Sequence, residues 1–140
     1  FELIILHFFL LERTLDKEIK KDQLIYKELL EIMYRDFDMS LREIGVGDLS
    51  VGKKIYQMTE AFSGRLFAYR EFNKKKNFHS MGKVIKRNIY GTIHNIDEKY
   101  IEIIKSYIID SMEYIDKSLI YEVSENSSIF IDLNRYIINK

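Results

Sequence analysis

The sequence predicts an all-α protein, folded as a single-domain helical bundle of about five to seven helices. The chain has 140 residues, which include no proline and only six glycines. Both residue types are unfavourable inside a helix, so their scarcity favours long helices. Apolar residues recur every three or four positions over several stretches, as they do along one face of a helix. A chain of this length makes about one domain, whose core needs no disulfide or metal.

The first half of the chain is predicted to form two helices followed by a glycine-rich break. Residues 2–15 are apolar on nearly all sides, which is typical of a buried helix. Asp22 is placed to cap a second helix that extends to about residues 35–39. The sequence Ser40-Leu41-Arg42-Glu43 predicts a short turn closed by a capping box. Gly45-Val46-Gly47-Asp48 then ends the helical pattern, because glycine is unfavourable inside a helix.

The rest of the chain is predicted to hold further helices. The most regular one, over 51–73, has an apolar stripe with steps of three and four: Ile55, Met58, Phe62, Leu66 and Tyr69. Beside the stripe lie small residues that allow another helix to approach closely: Ala61, Gly64 and Ala68. Helices are also expected over 80–90 and, from a cap at Asn95, over 96–121. For 129–138 helical spacing competes with strand-like alternation, and a helix is the prediction.

The charges cancel over the whole chain but are unevenly distributed along it. Residues 1–52 and 97–140 each carry a net charge of −4, whereas residues 53–96 carry +8. We therefore expect a basic face, formed by Lys74, Lys75, Lys76, Lys83, Lys86 and Arg87. Such a face suits ribosomal RNA, an anionic membrane surface or an acidic partner. The alternative is that the acidic helices of the chain neutralise it, since surface ion pairs are common.

The residue types that catalytic and metal sites need are absent or scattered. The chain has no cysteine, which excludes thiolate zinc sites and cysteine catalysis. His7, His79 and His94 lack the spacing of metal ligands. The stretch 47–53 matches a phosphate-binding loop, but Lys54 follows where Ser or Thr must hold magnesium. We predict no enzyme, no cofactor and no metal.

The apolar start of the chain is too short to span a membrane. The run Leu3–Leu11 has nine residues and is interrupted by His7, whereas a membrane-spanning helix needs about 20. A buried first helix is therefore the prediction. Because the chain begins with Phe1 rather than Met, we expect its N-terminus to be truncated.

The middle of the chain resembles a known family. The motifs are the glycine-broken Leu41–Asp48, then Gly52-Lys53, then Phe62-x-Gly64-Arg65 with Tyr69, and finally Arg87-Asn88-Ile89-Tyr90. Together they resemble the ubiquinol–cytochrome c chaperone family of all-helical domains, over residues 1–90. Lys86 stands where the mitochondrial branch has tryptophan, which favours the bacterial branch.

The resemblance implies a non-catalytic assembly factor for ubiquinol–cytochrome c reductase (complex III). Such a factor binds a newly made subunit, typically cytochrome b, and works in the bacterial cytoplasm or peripheral to the inner membrane. In a eukaryotic homologue that location corresponds to the matrix side. The candidates for partner contacts are Arg42, Asp48, Lys53, Phe62, Arg65, Tyr69, Arg87, Asn88 and Tyr90. Among these, Arg65 and Tyr69 favour partner contacts, whereas helix packing is an equally good role for Phe62 and its neighbour Gly64.

Two other functions compete with this interpretation. A ribosome- or RNA-associated module would use the basic stretch 53–96 directly, and its affinity would fall steeply with salt. A peripheral membrane protein would bind anionic vesicles with no client present. No sequence-specific DNA contact is expected, and the sequence leaves the oligomeric state open.

Overall fold

The structure, a computed structural model, describes residues 1–75, 78–117 and 128–136. Over these ranges the chain forms five α-helices and no strand. The helices are α1 (Glu2–Glu12), α2 (Lys20–Glu43), α3 (Asp48–Lys75), α4 (Phe78–Asn88) and α5 (Glu98–Lys117). A single 3-10 turn lies at Leu133–Tyr136. The predicted all-α fold is therefore confirmed.

The contacts within the chain divide it into two compact units. The discontinuous unit comprises Phe1–Thr14 and Tyr69–Lys140. The hairpin unit comprises Leu15–Ala68, which is α2, the turn after it and most of α3.

The core of the discontinuous unit is built around aromatic and aliphatic side chains of four helices. Helices α1 and α4 both pack against α5. The ring of Phe9 stacks on Tyr69, with centroids 5.4 Å apart, and meets Phe72 at 5.6 Å. The other large side chains that are almost fully buried here are Ile5, Leu6, Leu10, Met81, Ile85, Ile101, Ile108 and Ile115. The burial of α1 that its apolar run predicts is confirmed.

His7 is a packed residue of α1 with both ring nitrogens satisfied. Its Nδ1 lies 2.7 Å from the carbonyl oxygen of Leu3 and its Nε2 lies 2.6 Å from the Tyr107 hydroxyl. Because a carbonyl only accepts, Nδ1 donates and Nε2 accepts from the hydroxyl. The ring of Phe130 meets the imidazole edge-on at 4.5 Å.

The two ends of α2 differ from the prediction. The separate turn expected at Ser40 is wrong, because α2 continues through it to Glu43. Met33 and Phe37 are buried and Leu41, one turn further on, is half-buried, so the last turn of α2 continues the same side of the helix. Asp22 is not the cap either: Ile19 holds that position, and the buried Asp22 carboxylate accepts the backbone N–H of Asp16 at 2.7 Å.

The later boundaries also shift. The cap of α5 is Asp97 rather than Asn95, since the Asp97 carboxylate accepts the backbone N–H of Lys99 at 3.0 Å. The helix predicted over 129–138 is wrong for residues 129–132, which are not helical, and only one 3-10 turn follows. The ends of two predicted helices, 118–121 and 137–138, lie outside the described residues.

Glycine at position 91 is required by the turn that ends α4. A Cβ placed on Gly91 would lie 2.4 Å from the carbonyl oxygen of Arg87. Because that oxygen belongs to the backbone, it cannot rotate away as a side chain can. The backbone therefore reverses closely against the last turn of α4 only with glycine here.

Candidate partner-binding surface

The turn between α2 and α3 is closed by two backbone hydrogen bonds. Gly45 has a φ of 86°, a conformation that glycine adopts without the steric cost that a side chain adds. Its N–H donates to the carbonyl of Arg42 at 3.0 Å, and the N–H of Val46 donates to that of Leu41 at 3.0 Å. This pair of bonds is the Schellman motif, which satisfies the last carbonyls of a helix.

One arginine also joins the two helices across this turn. The Arg42 Nε donates to Asp38 at 2.7 Å, and its Nη1 donates to Asp48, the first residue of α3. The hydrogen bond from Arg42 lowers the pKa of Asp38. The structure thus brings the predicted residues Arg42 and Asp48 together. It adds Asp38, which the i, i+4 spacing to Arg42 could have indicated.

Helix α3 buries one of its faces within the hairpin unit. Val51, Phe62 and Leu66 are buried, and the Phe62 ring meets Tyr34 of α2 edge-on at a centroid distance of 6.1 Å. These contacts confirm the apolar stripe that the sequence predicts for this helix.

The opposite side of α3 carries a second set of large apolar side chains. We define the outer face of α3 by residues with alternating steps of four and three: Leu49, Lys53, Tyr56, Glu60, Ser63 and Phe67. Leu49 is 101% exposed, Tyr56 65% and Phe67 63%. Leu49 and Phe67 are 18 residues apart, about five full turns, so they lie on one line along the helix. Because this helix is apolar on two opposite sides, one of them has no cover within the described chain.

Two glycines flank the outer face and have open space above them. A Cβ on Gly52 or Gly64 would meet nothing within 4 Å. The helix packing expected at Gly64 is therefore not found within the described residues. Glycine inside a helix costs about 1 kcal/mol relative to alanine, although the described residues leave room for a side chain at both positions.

Helix α2 adds further exposed apolar side chains to the hairpin unit. Leu24, Ile32 and Met39 are each about half exposed, and Ile44 in the turn is 77% exposed. Steps of eight and seven residues place the three α2 side chains on one side of that helix. Exposed apolar side chains on one side of a helix are typical of interaction sites.

Three of the predicted partner contacts lie in the interior instead. Phe62, Tyr69 and Asn88 are only 5%, 0% and 5% exposed. Tyr69 stacks on Phe9 in the interior, so its role in partner contacts stays a prediction. The position of Tyr69 in the predicted apolar stripe already indicates that its side chain is buried. The outer-face residues Leu49, Tyr56 and Phe67 were not singled out, although steps of seven and eleven place them on one helical line.

The other predicted contacts are at least partly accessible. Lys53 lies exposed on the outer face, and the half-buried Arg65 donates to the carbonyl of Ala61 at 3.3 Å. Arg87 is exposed and its Nε donates to Asn88 at 3.2 Å. Tyr90 is half-buried, and this burial, followed by the neighbouring Tyr100, raises its pKa.

The residues predicted to form a basic face belong to the discontinuous unit. Lys74 and Lys75 are exposed in the last turn of α3, where Lys75 pairs with Glu71 at 2.9 Å. Lys83 and Lys86 line an open cleft of about 390 Å³ between α4 and α5. The rest of its lining consists of Gly82, Glu98, Ile101, Glu102 and Lys105. Lys76 lies outside the described residues.

Two kinds of site are missing from residues 1–75, 78–117 and 128–136. These ranges hold no cluster of three or more His, Asp or Glu side chains able to bind a metal ion. No helix in them is long and apolar enough to cross a membrane.

Comparison with solved structures shows the same fold in a bacterial protein. The crystal structure of the Cbp3 homolog from Brucella abortus aligns with a TM-score of 0.76 and 20% sequence identity. The alignment covers 94% of this chain and 71% of that one. No curated protein matches the chain significantly.

Comparison with protein families identifies the chain more directly. The ubiquinol-cytochrome C chaperone model matches residues 1–122. The chain belongs to this family. Its function class is therefore that of a chaperone for the assembly of ubiquinol–cytochrome c reductase, and a chaperone of this kind binds a protein client. The match includes all of the outer face of α3 and the turn closed by Arg42.

Proposed function

We propose that this protein holds a newly made subunit of ubiquinol–cytochrome c reductase, such as cytochrome b, without catalysing a reaction. The client lies against the outer face of α3. The observation that carries this proposal is an apolar line, from Leu49 through Tyr56 to Phe67, exposed on a helix whose opposite side is already buried. The family match over residues 1–122 supports the client class.

The outer face has the chemistry that an apolar client segment needs. Aromatic side chains such as Tyr56 and Phe67 bury a large apolar area on contact. The open positions at Gly52 and Gly64 allow a client backbone to approach α3 closely. Burial of Leu49, Tyr56 and Phe67 is worth about 1.5–3 kcal/mol for each side chain.

The charged groups around this face suit a client with polar ends. Lys53 and Glu60 flank Tyr56, and both are exposed. At the end of the hairpin unit, Arg42 is held between Asp38 and Asp48. These groups can hydrogen-bond the polar flanks of a client segment while the apolar line covers its middle. The buried candidates Phe62 and Tyr69 act in this proposal by supporting α3 from within.

Co-purification tests this proposal. Tagged full-length protein is recovered from cells, and the complex III subunits bound to it are quantified. Tyr56→Asp and Phe67→Asp place a charge on the apolar line, and each is expected to lower client recovery at least about tenfold. Gln57→Asp is the matched control, since it adds the same charge about 100° around the helix from Tyr56. Equal recovery with all three variants would contradict the proposed site.

We also infer a cytoplasmic location at the inner membrane surface, which the basic face supports. Lys74, Lys83 and Lys86 are exposed, and in the described part of the chain none of them forms an ion pair. Juxtamembrane lysines contribute about 1 kcal/mol each at an anionic surface. This arrangement brings the chaperone to the place where a membrane subunit is made.

A ribosome-associated module is the second candidate function, and the same exposed lysines favour it. Binding through Lys83 and Lys86 to RNA phosphates releases counterions, so it weakens steeply as salt rises. Sedimentation with ribosomes at about 50 and 200 mM salt measures this dependence. Sedimentation with anionic vesicles in the same buffers separates an RNA partner from a lipid partner. Client binding through α3 is expected to depend little on salt.

A further inference from the structure

The outer face of α3 carries one cation and one anion, two turns apart. Lys53 and Glu60 are exposed, and neither makes an ion pair in the described part of the chain. Tyr56 lies between them on the same line. A surface with both signs of charge around an apolar centre can be complementary to itself.

The geometry points to self-association: the outer face of α3 pairs with the same face of a second copy, with the two helices antiparallel. A two-fold axis beside Tyr56 and Gln57 places each residue that precedes the axis opposite the residue of the second copy that follows it by the same number of positions. It therefore places Lys53 opposite Glu60 of the second copy, and Glu60 opposite Lys53 of the second copy. Such an interface uses the same patch on both copies and closes as a dimer.

The same register also fits the apolar side chains. Leu49 falls opposite Ser63 and Gly64 of the second copy, between Glu60 and Phe67. Four residues spaced in this way form the hole that receives a side chain in helix packing. This hole has room for a leucine side chain because Gly64 has no side chain and open space above it. Tyr56 meets its own counterpart beside the axis.

Charge complementarity favours a second copy as the occupant of this surface when no client is bound. Each copy offers Lys53 and Glu60, and the antiparallel arrangement forms two ion pairs at once, one on each side of the axis. The line from Leu49 to Phe67 is about 27 Å long and about 10 Å wide, which gives on the order of 300 Å² for each copy. Stable complexes bury about 800 Å² for each partner. The dimer is therefore expected to be weak, because its interface is smaller than that of stable complexes.

In a weak dimer, the second copy covers the outer face only until a client binds there. Because the second copy and the client lie on the same residues, they compete, and a client of higher affinity displaces the second copy. This competition rests on the proposed function, whereas the self-pairing rests on the geometry of α3 alone.

Analytical ultracentrifugation of the purified chain tests the self-pairing, over about 5–500 µM protein. Glu60→Lys and Lys53→Glu each place like charges opposite one another, and each is expected to weaken the dimer at least about fivefold. The double variant Lys53→Glu/Glu60→Lys restores the pairs and is expected within about twofold of the wild type. Lys54→Glu is the matched control, because it removes a neighbouring lysine about 100° away and leaves the dimer unchanged.

Two outcomes would overturn the inference. One is a wild-type chain that stays monomeric up to about 500 µM. The other is a double variant as weak as either single variant, which would show that Lys53 and Glu60 do not face each other. The proposed function is tested separately, since Tyr56→Asp removes the client whether or not a dimer forms. If the dimer responds to the charge swap as expected but the Tyr56→Asp variant still binds the client, only the proposed client site is overturned.

Discussion

The carboxylate of Glu12 and the guanidinium of Arg70 form an ion pair between α1 and α3, 58 residues apart in sequence. Arg70 Nη2 lies 2.7 Å from Glu12 Oε1, and its Nε donates to the same oxygen at 2.9 Å. The Glu12 side chain is only 9% exposed, whereas Arg70 is 43% exposed. Because Glu12 is buried and Arg70 is partly exposed, the loss of Arg70 and the loss of the Glu12 charge should affect stability differently.

We therefore expect Arg70→Met to destabilise the fold more than Glu12→Gln. Loss of Arg70 leaves a buried charge unpaired, at a cost of about 2–3 kcal/mol after allowance for its partial exposure. Glu12→Gln removes that charge and keeps an acceptor, at a cost of about 1 kcal/mol. Urea unfolding measures both. Equal losses, or a larger loss with Glu12→Gln, would contradict this ranking.

Two glycines are expected to respond to alanine in opposite ways. Gly91→Ala puts a Cβ 2.4 Å from the Arg87 carbonyl oxygen, so it should cost about 1–3 kcal/mol through forced backbone movement. Gly64→Ala meets open space in a helix and should stabilise the fold by up to about 1 kcal/mol. Thermal unfolding of the two variants gives the comparison. Stabilisation by Gly91→Ala would refute the close turn at the end of α4.

The stability of the chain should fall at alkaline pH because of Tyr136. Burial, then the hydrogen bond that its hydroxyl donates to Asp110, raises the pKa of Tyr136 from 10.0 to about 12. The unfolded tyrosine ionises first, so the stabilisation is complete below pH 10 and is lost as pH rises towards about 12. Tyr136→Phe lacks this contribution. Urea unfolding should show that the difference in free energy of unfolding between the two chains shrinks as pH rises from 10 to about 12. A difference that is independent of pH would exclude the effect.

Removing Arg42 should return the pKa of Asp38 towards its usual range. The hydrogen bond from Arg42 is the largest cause of the lowered pKa, so the pair persists until the pH falls below the ordinary value of 3.8. NMR titration of the Asp38 carboxyl in Arg42→Met measures the change. Lys53→Met is the control, because Lys53 is not among the causes of the lowered pKa of Asp38 and its removal should leave that pKa lowered.

Much of the fold follows from local pattern. The absence of proline and the three- and four-residue steps correctly predict helices, and the stripe through Phe62 and Leu66 correctly predicts the buried side of α3. Boundaries are less predictable, because tertiary contacts extend a helix past local signals. Ser40 has good capping chemistry, yet α2 continues beyond it to Glu43, with Leu41 half-buried in the last turn.

The site is harder to predict than the core. Tyr69 and Phe67 are both aromatic residues of α3, yet one is 0% and the other 63% exposed. Helical spacing groups residues into faces but does not say which face the rest of the chain covers. The motif Arg87-Asn88 likewise belongs partly to the fold, since Asn88 is buried and accepts a hydrogen bond from Arg87.

Site-specific photocrosslinking tests the client surface most directly. A photoreactive amino acid is placed at Phe67 on the outer face and, as the control, at Lys54, which is also exposed on α3. The full-length protein is then illuminated in cells that are making complex III. We expect cytochrome b or another complex III subunit to crosslink at Phe67 at least about fivefold more than at Lys54, because contact falls off around the helix. Equal crosslinking at both positions, or none at Phe67, would contradict the assignment of the outer face of α3 to the client.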